Sequence, residues 1–464
     1  MAVSEPPGAL RLARPFLAVG MARFCVQLDF FSLNLALPTI ARDLGSSVTD
    51  LQWLLSGYLL ALGSLLVPAA RAADVVGRRV VLLVGIAVFG TTSLVCGLVS
   101  SVPVLIAARV VQGVGAAMIM PTAFALVTNA TGEDERPRIM GILIGLAGLG
   151  TALGPVVGGV LAGTLGWRWV FLVNVPIAVG AFLGVRRMAE SRDATGPRSL
   201  AGLDRWGVVT VVGGLALVSL AIDDVSSQGW TSPATVGPLL GGVVLLALFA
   251  RNETRVAHPL VRPSLLRHGP YTVLLVAGAL ANVGADVFVL AATLDLQTLR
   301  DLSAGEAGLL FFVASASMAV CGPLSGWLAR RMPAARVMGL SLTLSAPVLV
   351  LLGLVTPLPL YVVVMCLCGF TTSIGYSLAQ LAVQTVLPAA RSAEGTSVLL
   401  TALVTLGGLG VVVATAVIEA VGDQQVTEDG LLAALAGVAA LLLVAGLVTL
   451  ARAPRPGDPA PAGS

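Results

Sequence analysis

The chain has 464 residues, 57% of them hydrophobic and only 11% charged, with a mean hydropathy of +0.96. That is too apolar for a water-soluble globular domain and leaves an all-α polytopic membrane protein as the class. The net charge of +3 is small and dispersed, so no nucleic-acid surface is indicated; every basic residue is arginine, which excludes a lysine-dependent phosphate loop GxxxxGK[ST].

Apolar stretches of spanning length recur from end to end, about fourteen of them. The first, 16–40, contains LDFFSLNLALPTI (Leu28–Ile40) and places Asp29 near its middle. A carboxylate at the bilayer centre costs at least ~2.5 kcal/mol and reads as functional. With Asn34 and Pro38 it also makes the segment a poor cleavable signal, so insertion as an uncleaved anchor is expected. The second, 51–70, runs into PAARAADVVGRR (Pro68–Arg79), a charged turn with Asp74, Gly77, Arg78 and Arg79. After 80–99, the fourth segment, 103–127, carries Arg109 about six residues in, near one-third depth. Gln112 and Gly113 follow at i+3 and i+4, so the arginine is expected to face a polar cavity with Gln112 rather than snorkel.

The fifth segment, 138–163, has Gly141, Gly145, Gly154, Gly158, Gly159 and Gly163, whose four-residue spacings suit close backbone approach. Gly154-Pro155 predicts a kink there, and the seam is expected at a half-to-half interface, where it would control which side of a cavity opens. The sixth, 168–186, opens with WRWVFLVNVP (Trp167–Pro176), and 206–223 and 235–250 lie between Arg-rich connections at 187–205 and 251–270. The ninth, 271–294, holds Asp286 about fifteen residues in, a second candidate for a proton site, a cationic-substrate contact or a structural partner. The remaining segments are 307–329, 335–355, 359–382, 393–420 and 430–451. PLSGWLARRMPAAR (Pro323–Arg336) echoes Pro68–Arg79, a weak internal symmetry of the kind found in transporters built from two helical halves.

This organises the chain as a cytoplasmic tail at 1–15, a six-helix half at 16–187, a linker with two inserted helices at 188–270, a second six-helix half at 271–452 and a disordered cytoplasmic tail at 453–464. With the N-terminus inside, all but five arginines fall in cytoplasmic segments: Arg42, Arg168 and Arg300 lie outside, and Arg23 and Arg109 lie within helices. Both termini are therefore expected in the cytoplasm. Arg23 is within snorkelling reach of the inner surface and is read as structural. Trp53, Trp167, Trp169 and Trp230 fall near outer ends, where aromatic anchors belong. The five cysteines all sit in apolar segments without ligand spacing, and His258 and His268 are read as solvated loop residues, so neither a metal nor any other cofactor is expected.

Four patterns together resemble the major facilitator superfamily, specifically its fourteen-spanner drug:proton antiporters. LDFFSLNLALPTI looks like the helix 1 signature, with Asp29, Asn34, Ala36, Leu37 and Pro38 in place. ARVVQGVGAAMIMP is similar to the helix 4 motif at Arg109, Gln112, Gly113, Gly115 and Ala116. GLGTALGPVVGGVLAG resembles the antiporter motif at Gly150, Gly154, Pro155, Gly158 and Gly159, and WRWVFLVNVP the opening of helix 6. The loop 2–3 motif departs from type: Asp74, Gly77, Arg78 and Arg79 remain, but Ala70 stands for a glycine and Val75 for an arginine.

The resemblance implies the superfamily's fold, two six-helix halves plus two inserted central helices, in a bacterial cytoplasmic membrane. It implies no enzyme activity, and a secondary transporter exporting amphipathic drugs, antibiotics or secondary metabolites in exchange for protons by alternating access. Proton coupling falls to Asp29 and Arg109, the substrate cavity to Asn34 and Gln112, gating and helix packing to Gly154, Pro155, Gly158 and Gly159, and a cytoplasmic latch to Asp74, Gly77, Arg78 and Arg79. The expected partners are a small amphipathic substrate, protons and the lipid bilayer; a monomer is compatible with the sequence. A proton-coupled uptake symporter for a small metabolite keeps the fold and reverses direction, and a non-transporting receptor or scaffold would need no buried charge. Both stay open at this point.

Overall fold

A computed structural model describes residues 9–46, 51, 53–132, 135–192, 204–256, 259–267, 269–302, 304–387, 391–422 and 425–453. All regular structure among them is helical. In chain order the helices are α1 (Ala9–Leu44), α2 (Trp53–Val76), α3 (Arg78–Leu98), α4 (Val102–Ala130), α5 (Arg136–Thr164), α6 (Arg168–Leu172), α7 (Asn174–Val185), α8 (Arg205–Gln228), α9 (Pro233–Glu253), α10 (Pro263–Arg267), α11 (Gly269–Leu294), α12 (Ala304–Leu328), α13 (Ala334–Leu352), α14 (Leu358–Val386), α15 (Ser392–Val421) and α16 (Glu428–Arg452). A helix stands at each of the expected spans, α6 and α7 together making one. Among the described residues twelve helices are long and apolar enough to cross a membrane, or thirteen with the bent α5 taken as one span. The expected span 206–223 is the exception: its apolar part, Arg205–Ala221, is shorter.

Local chemistry sets several ends. Ser232 Oγ accepts from the Ala234 amide ahead of Pro233, and Thr427 Oγ1 from Gly430. Between α2 and α3 only Gly77 turns the chain; its φ of 130° is open to glycine alone, and the Glu190 carboxylate packs where a side chain would be.

The helices fall into two packed groups. In the first, α1 lies on α5 and α7, and α4 on α2 and α3; in the second, α14 packs on α11, α12 and α13, and α16 on α11, α13 and α15. The groups meet along α5–α12 and α2–α15. The pair α8–α9 sits outside them, with α8 against α2 and α15.

Glycine sets how closely these helices approach. Gly113 of α4 lies against the Tyr58 carbonyl of α2, while Gly115 and Gly85 bring α4 onto α3, a Cβ at Gly115 falling 2.9 Å from the Gly85 carbonyl oxygen. Helix α5 bends by 41° between Arg138–Gly154 and Val156–Thr164, where the kink was expected; the Pro155 side chain lies outside the described residues. Its glycine seam divides in two. Gly150, Gly154 and Gly158 face Phe24, Phe31 and Ser32 of α1, within the same group, and only Gly141 and Gly145 face Gly322 of α12 across the groups. The expectation of one inter-half seam is therefore corrected: successive four-residue steps and the bend carry the stripe round the helix, from one neighbour to another.

A Cβ at Gly158 would meet the Ser32 carbonyl and lie 2.7 Å from Ser32 Cα, backbone that cannot yield cheaply, whereas Gly159 is exposed. Gly158→Ala is expected to cost about 1–3 kcal/mol and Gly159→Ala less than about 0.5 kcal/mol in either direction. Thermal unfolding of the purified variants in one detergent checks the contrast, and equal melting temperatures would contradict it.

Candidate functional site

Asp29 and Arg109 meet inside the first helix group, where their side chains are fully buried. Arg109 Nη1 donates to Asp29 Oδ2 at 2.5 Å and to Gln112 Oε1 at 2.7 Å, and its Nε donates to the Leu54 carbonyl of α2 at 3.0 Å. Asp29 Oδ1 accepts from Asn174 Nδ2 of α7 at 2.7 Å and from Gln112 Nε2 at 3.2 Å. Gln112 Nε2 also donates to Ser93 Oγ of α3 at 2.7 Å. The Tyr58 ring lies 4.4 Å from the guanidinium carbon.

Each contact follows from local structure. Arg109 and Gln112 are one turn apart on α4, so a single face presents both. Gly113 beside them lets α2 close down until its Leu54 carbonyl and Tyr58 ring reach the arginine. The short break between α6 and α7 starts α7 at Asn174 and turns its amide toward α1. The result is one carboxylate held by three charged or amide donors, tying α1, α4 and α7 directly and α2 and α3 through Arg109 and Gln112. Among the described residues Arg109 Nη2 and the Tyr58 hydroxyl have no hydrogen-bond partner, so the cluster can be rewired without first breaking every bond.

At the end of the bundle carrying the α2–α3 turn, Asp74 Oδ1 accepts from Arg78 Nη2 at 2.8 Å and Nε at 3.1 Å, all buried. Arg71 Nη1 stands 3.9 Å from the other carboxylate oxygen, so Asp74 faces two arginines although Val75 has replaced a third. Arg78 Nη1 reaches Ser191 Oγ at 3.2 Å. Glu190 accepts the amides of Arg79 at 2.9 Å and Val80 at 3.3 Å, capping α3. Arg79 Nη1 donates to the Met188 carbonyl at 2.9 Å. These bonds tie the α2–α3 turn to the segment after α7.

Asp286 lies apart from this cluster. Its Oδ2 accepts from Asn282 Nδ2 at 2.7 Å, the same amide donates to the Leu403 carbonyl of α15 at 3.1 Å, and both side chains pack on Gly407. A cavity of about 400 Å³ opens at the opposite end of the bundle, between α2, α8 and α15. Trp53, Trp230 and Glu419 stand at its edge, and Leu60, Val404 and Gly408 are among its apolar walls. Helix α2 is shared: Leu54 and Tyr58 face the charge pair, while Trp53, Ser56 and Leu60 face the cavity.

The side chain of Asn34 and both histidines, His258 and His268, lie outside the described residues. Asn174, Ser93 and Tyr58 are contributors that the sequence did not single out; the signal for Asn174 is an amide inside an otherwise apolar run. In the last turn of α1, past the apolar segment 16–40, Asp43 accepts from Trp167 Nε1 and Arg168 Nη1, both at 2.8 Å, which holds its carboxyl below the usual range.

A family model for the Major Facilitator Superfamily matches residues 19–280 and 274–464. The chain is 33% identical over 331 residues to the tetracenomycin C resistance and export protein of Streptomyces glaucescens, covering 70% of this chain and 60% of that one. It is 37% identical to the puromycin resistance protein pur8 of Streptomyces alboniger (68% and 62% covered) and 38% identical to the cephamycin export protein CmcT of Amycolatopsis lactamdurans (68% and 65%). The matches thus span less than two thirds of these relatives' own length. Among solved structures, the human organic anion transporter MFSD10 aligns with a TM-score of 0.65 at 19% identity, over 96% of this chain and 100% of that one, a likeness of fold alone.

Removing one partner of a buried ion pair strands the other. Asp29→Asn is expected to destabilise the protein by about 3–5 kcal/mol, and Arg109→Gln by a similar amount. The double variant should cost less than the sum by at least ~2 kcal/mol. A double-mutant cycle of unfolding in mixed micelles measures this, and strict additivity would show that the two charges do not depend on each other.

Proposed function

The chain belongs to the Major Facilitator Superfamily, and on that premise we propose that it exports amphipathic drugs, antibiotics or secondary metabolites in exchange for protons, by alternating access, from a bacterial cytoplasmic membrane. The observation that carries this reading is the Asp29–Arg109 pair, buried without solvent and tied to five helices of one group. A proton on Asp29 cancels the charge that Arg109 faces. Arg109 then has reason to swing its unpartnered Nη2 toward the Tyr58 hydroxyl oxygen, and its hold on the Leu54 carbonyl loosens. Because α2 also walls the cavity, the protonation state of Asp29 and the contents of the cavity act on one element. That is the physical requirement for coupling two sites.

The names of the relatives support export of a toxic compound. The arginine distribution supports placing the α2–α3 turn and both termini in the cytoplasm, with the α2–α8–α15 cavity facing outward. In that orientation the glycine contact between α5 and α12 closes the cytoplasmic side, and the Asp74–Arg78 network braces the first helix group there. Proton entry gains about 2.3 kcal/mol per 100 mV of membrane potential for each charge moved, before any pH gradient.

In acid-loaded everted vesicles, adding ethidium, tetraphenylphosphonium or a neutral polyaromatic antibiotic is expected to release protons through the wild type and not through Asp29→Asn. Release surviving in Asp29→Asn would move the proton to another carboxylate, Asp286 first. A wild type silent to this panel and to an amphipathic carboxylate alike would contradict proton-coupled export.

A further inference from the structure

Arg23 is buried to 1% exposure inside α1, at the face where the first helix group meets α14 of the second. Its guanidinium carbon lies 3.9 Å from the centre of the Phe124 ring of α4, and its Nη2 donates to Gln380 Oε1 of α14 at 3.0 Å. The sequence suggested snorkelling to the membrane surface, but here the side chain points sideways between helices. Nε and Nη1 are buried with no hydrogen-bond partner, and so is the Nε2 of Gln380. Among the described residues no carboxylate forms an ion pair with Arg23. Arg109, equally buried, has Asp29.

A buried guanidinium without a counter-ion is costly, and its remaining N–H groups demand an acceptor. Of the carboxylates well inside the spans, Asp29 is committed to three donors and Asp286 to Asn282, while the buried Asp74, Glu253 and Glu394 stand near helix ends. Among the described residues the charge left unmatched at this interface is therefore positive. It sits between the two groups, where their separation would expose it beside an aromatic ring. We propose that Arg23 is the recognition point for an organic anion: the substrate is an amphipathic molecule with a carboxylate attached to an apolar or aromatic body.

In the closed arrangement the single amide oxygen of Gln380 satisfies one N–H. When α14 withdraws, the substrate carboxylate takes that place and reaches the unpartnered nitrogens, because a guanidinium fork matches two carboxylate oxygens. Phe124 supplies an apolar wall for the body of the molecule. Gln380 then acts as the stand-in ligand that lets the interface close again once the anion has left. Outward movement of an anion also runs with an inside-negative potential, so it adds to the drive from inward protons. This assignment rests on the exporter reading and narrows its substrate class.

The test uses the full-length protein in lipid nanodiscs with three probes: 2-naphthoate, its neutral analogue 2-naphthamide, and tetraphenylphosphonium. Wild type is expected to bind 2-naphthoate and to melt at a higher temperature with it. Arg23→Gln should weaken naphthoate binding by at least about tenfold, Arg23→Lys by less, and neither should change 2-naphthamide binding. Without ligand, Arg23→Gln should melt no lower than wild type, since it removes an unpaired buried charge; a purely structural tie to Gln380 predicts the reverse. Failure of wild type to bind naphthoate, equal naphthoate affinity in Arg23→Gln, or a parallel loss of naphthamide would each overturn the proposal. Arg23-dependent naphthoate binding without any substrate-driven proton movement would leave the anion site standing and remove the exporter reading instead.

Discussion

One carboxylate in a low-dielectric interior organises the first helix group. An ionised Asp29 can be kept there only if it is paired and fully hydrogen-bonded, and the chain meets that demand by bringing donors from separate helices onto it. Arg109 and Gln112 come from α4 and Asn174 from α7; Ser93 and the Leu54 carbonyl then hold those donors in place. None of these groups is free to choose its position. Gly113 must be small for α2 to approach, and the start of α7 must fall where Asn174 reaches α1. The ion pair is therefore a constraint on helix packing as much as a local contact.

The same constraint explains where motion can be stored. Seams lined by glycine fix the distances between α1 and α5 and between α3 and α4, so those helices are packed as blocks. Between the two groups, contact at one end of the bundle is tight, through Gly141, Gly145 and Gly322 and through Arg23 with Gln380. At the other end α2 and α15 part around the cavity. A rocking of blocks about such an arrangement exposes one end as it covers the other. Helix α2 touches both the cavity and the charge pair, and α8 of the outer pair reaches α2 and α15 from outside. The pair α8–α9 is thus placed to shape the cavity, with Ser219, Leu220 and Trp230 on its wall.

Much of the fold was legible in the residues. Apolar runs mark every helix that crosses the bundle, because in lipid the backbone must satisfy itself and hydropathy alone marks the span. The kink in α5 and the turn at Gly77 were equally visible, since glycine and proline act through local backbone geometry. What the sequence did not carry was azimuth. Depth along a helix can be counted from its ends, so Asp29 could be placed near the middle of its span and Arg109 near one-third depth. Which neighbour a side chain faces depends on contacts far apart in the chain. Asn174 looked like one amide in a motif until α7 was seen against α1. By depth Arg23 is within snorkelling reach of the inner surface and reads as structural, yet Phe124 and Gln380 lie beside it. The glycine stripe of α5 was read as one face and serves two.

Under the proposed proton-coupled export, Asp29 changes its protonation state as the protein turns from one side of the membrane to the other. Infrared difference spectroscopy on the reconstituted protein, with and without a transported substrate, observes that event at the carboxyl group itself. A substrate-dependent protonated-carboxyl band is expected in wild type, shifted in Asn174→Leu through the lost hydrogen bond, and missing in Asp29→Asn. A band unchanged in Asp29→Asn would place the moving proton elsewhere and reduce the Asp29–Arg109 pair to a structural tie.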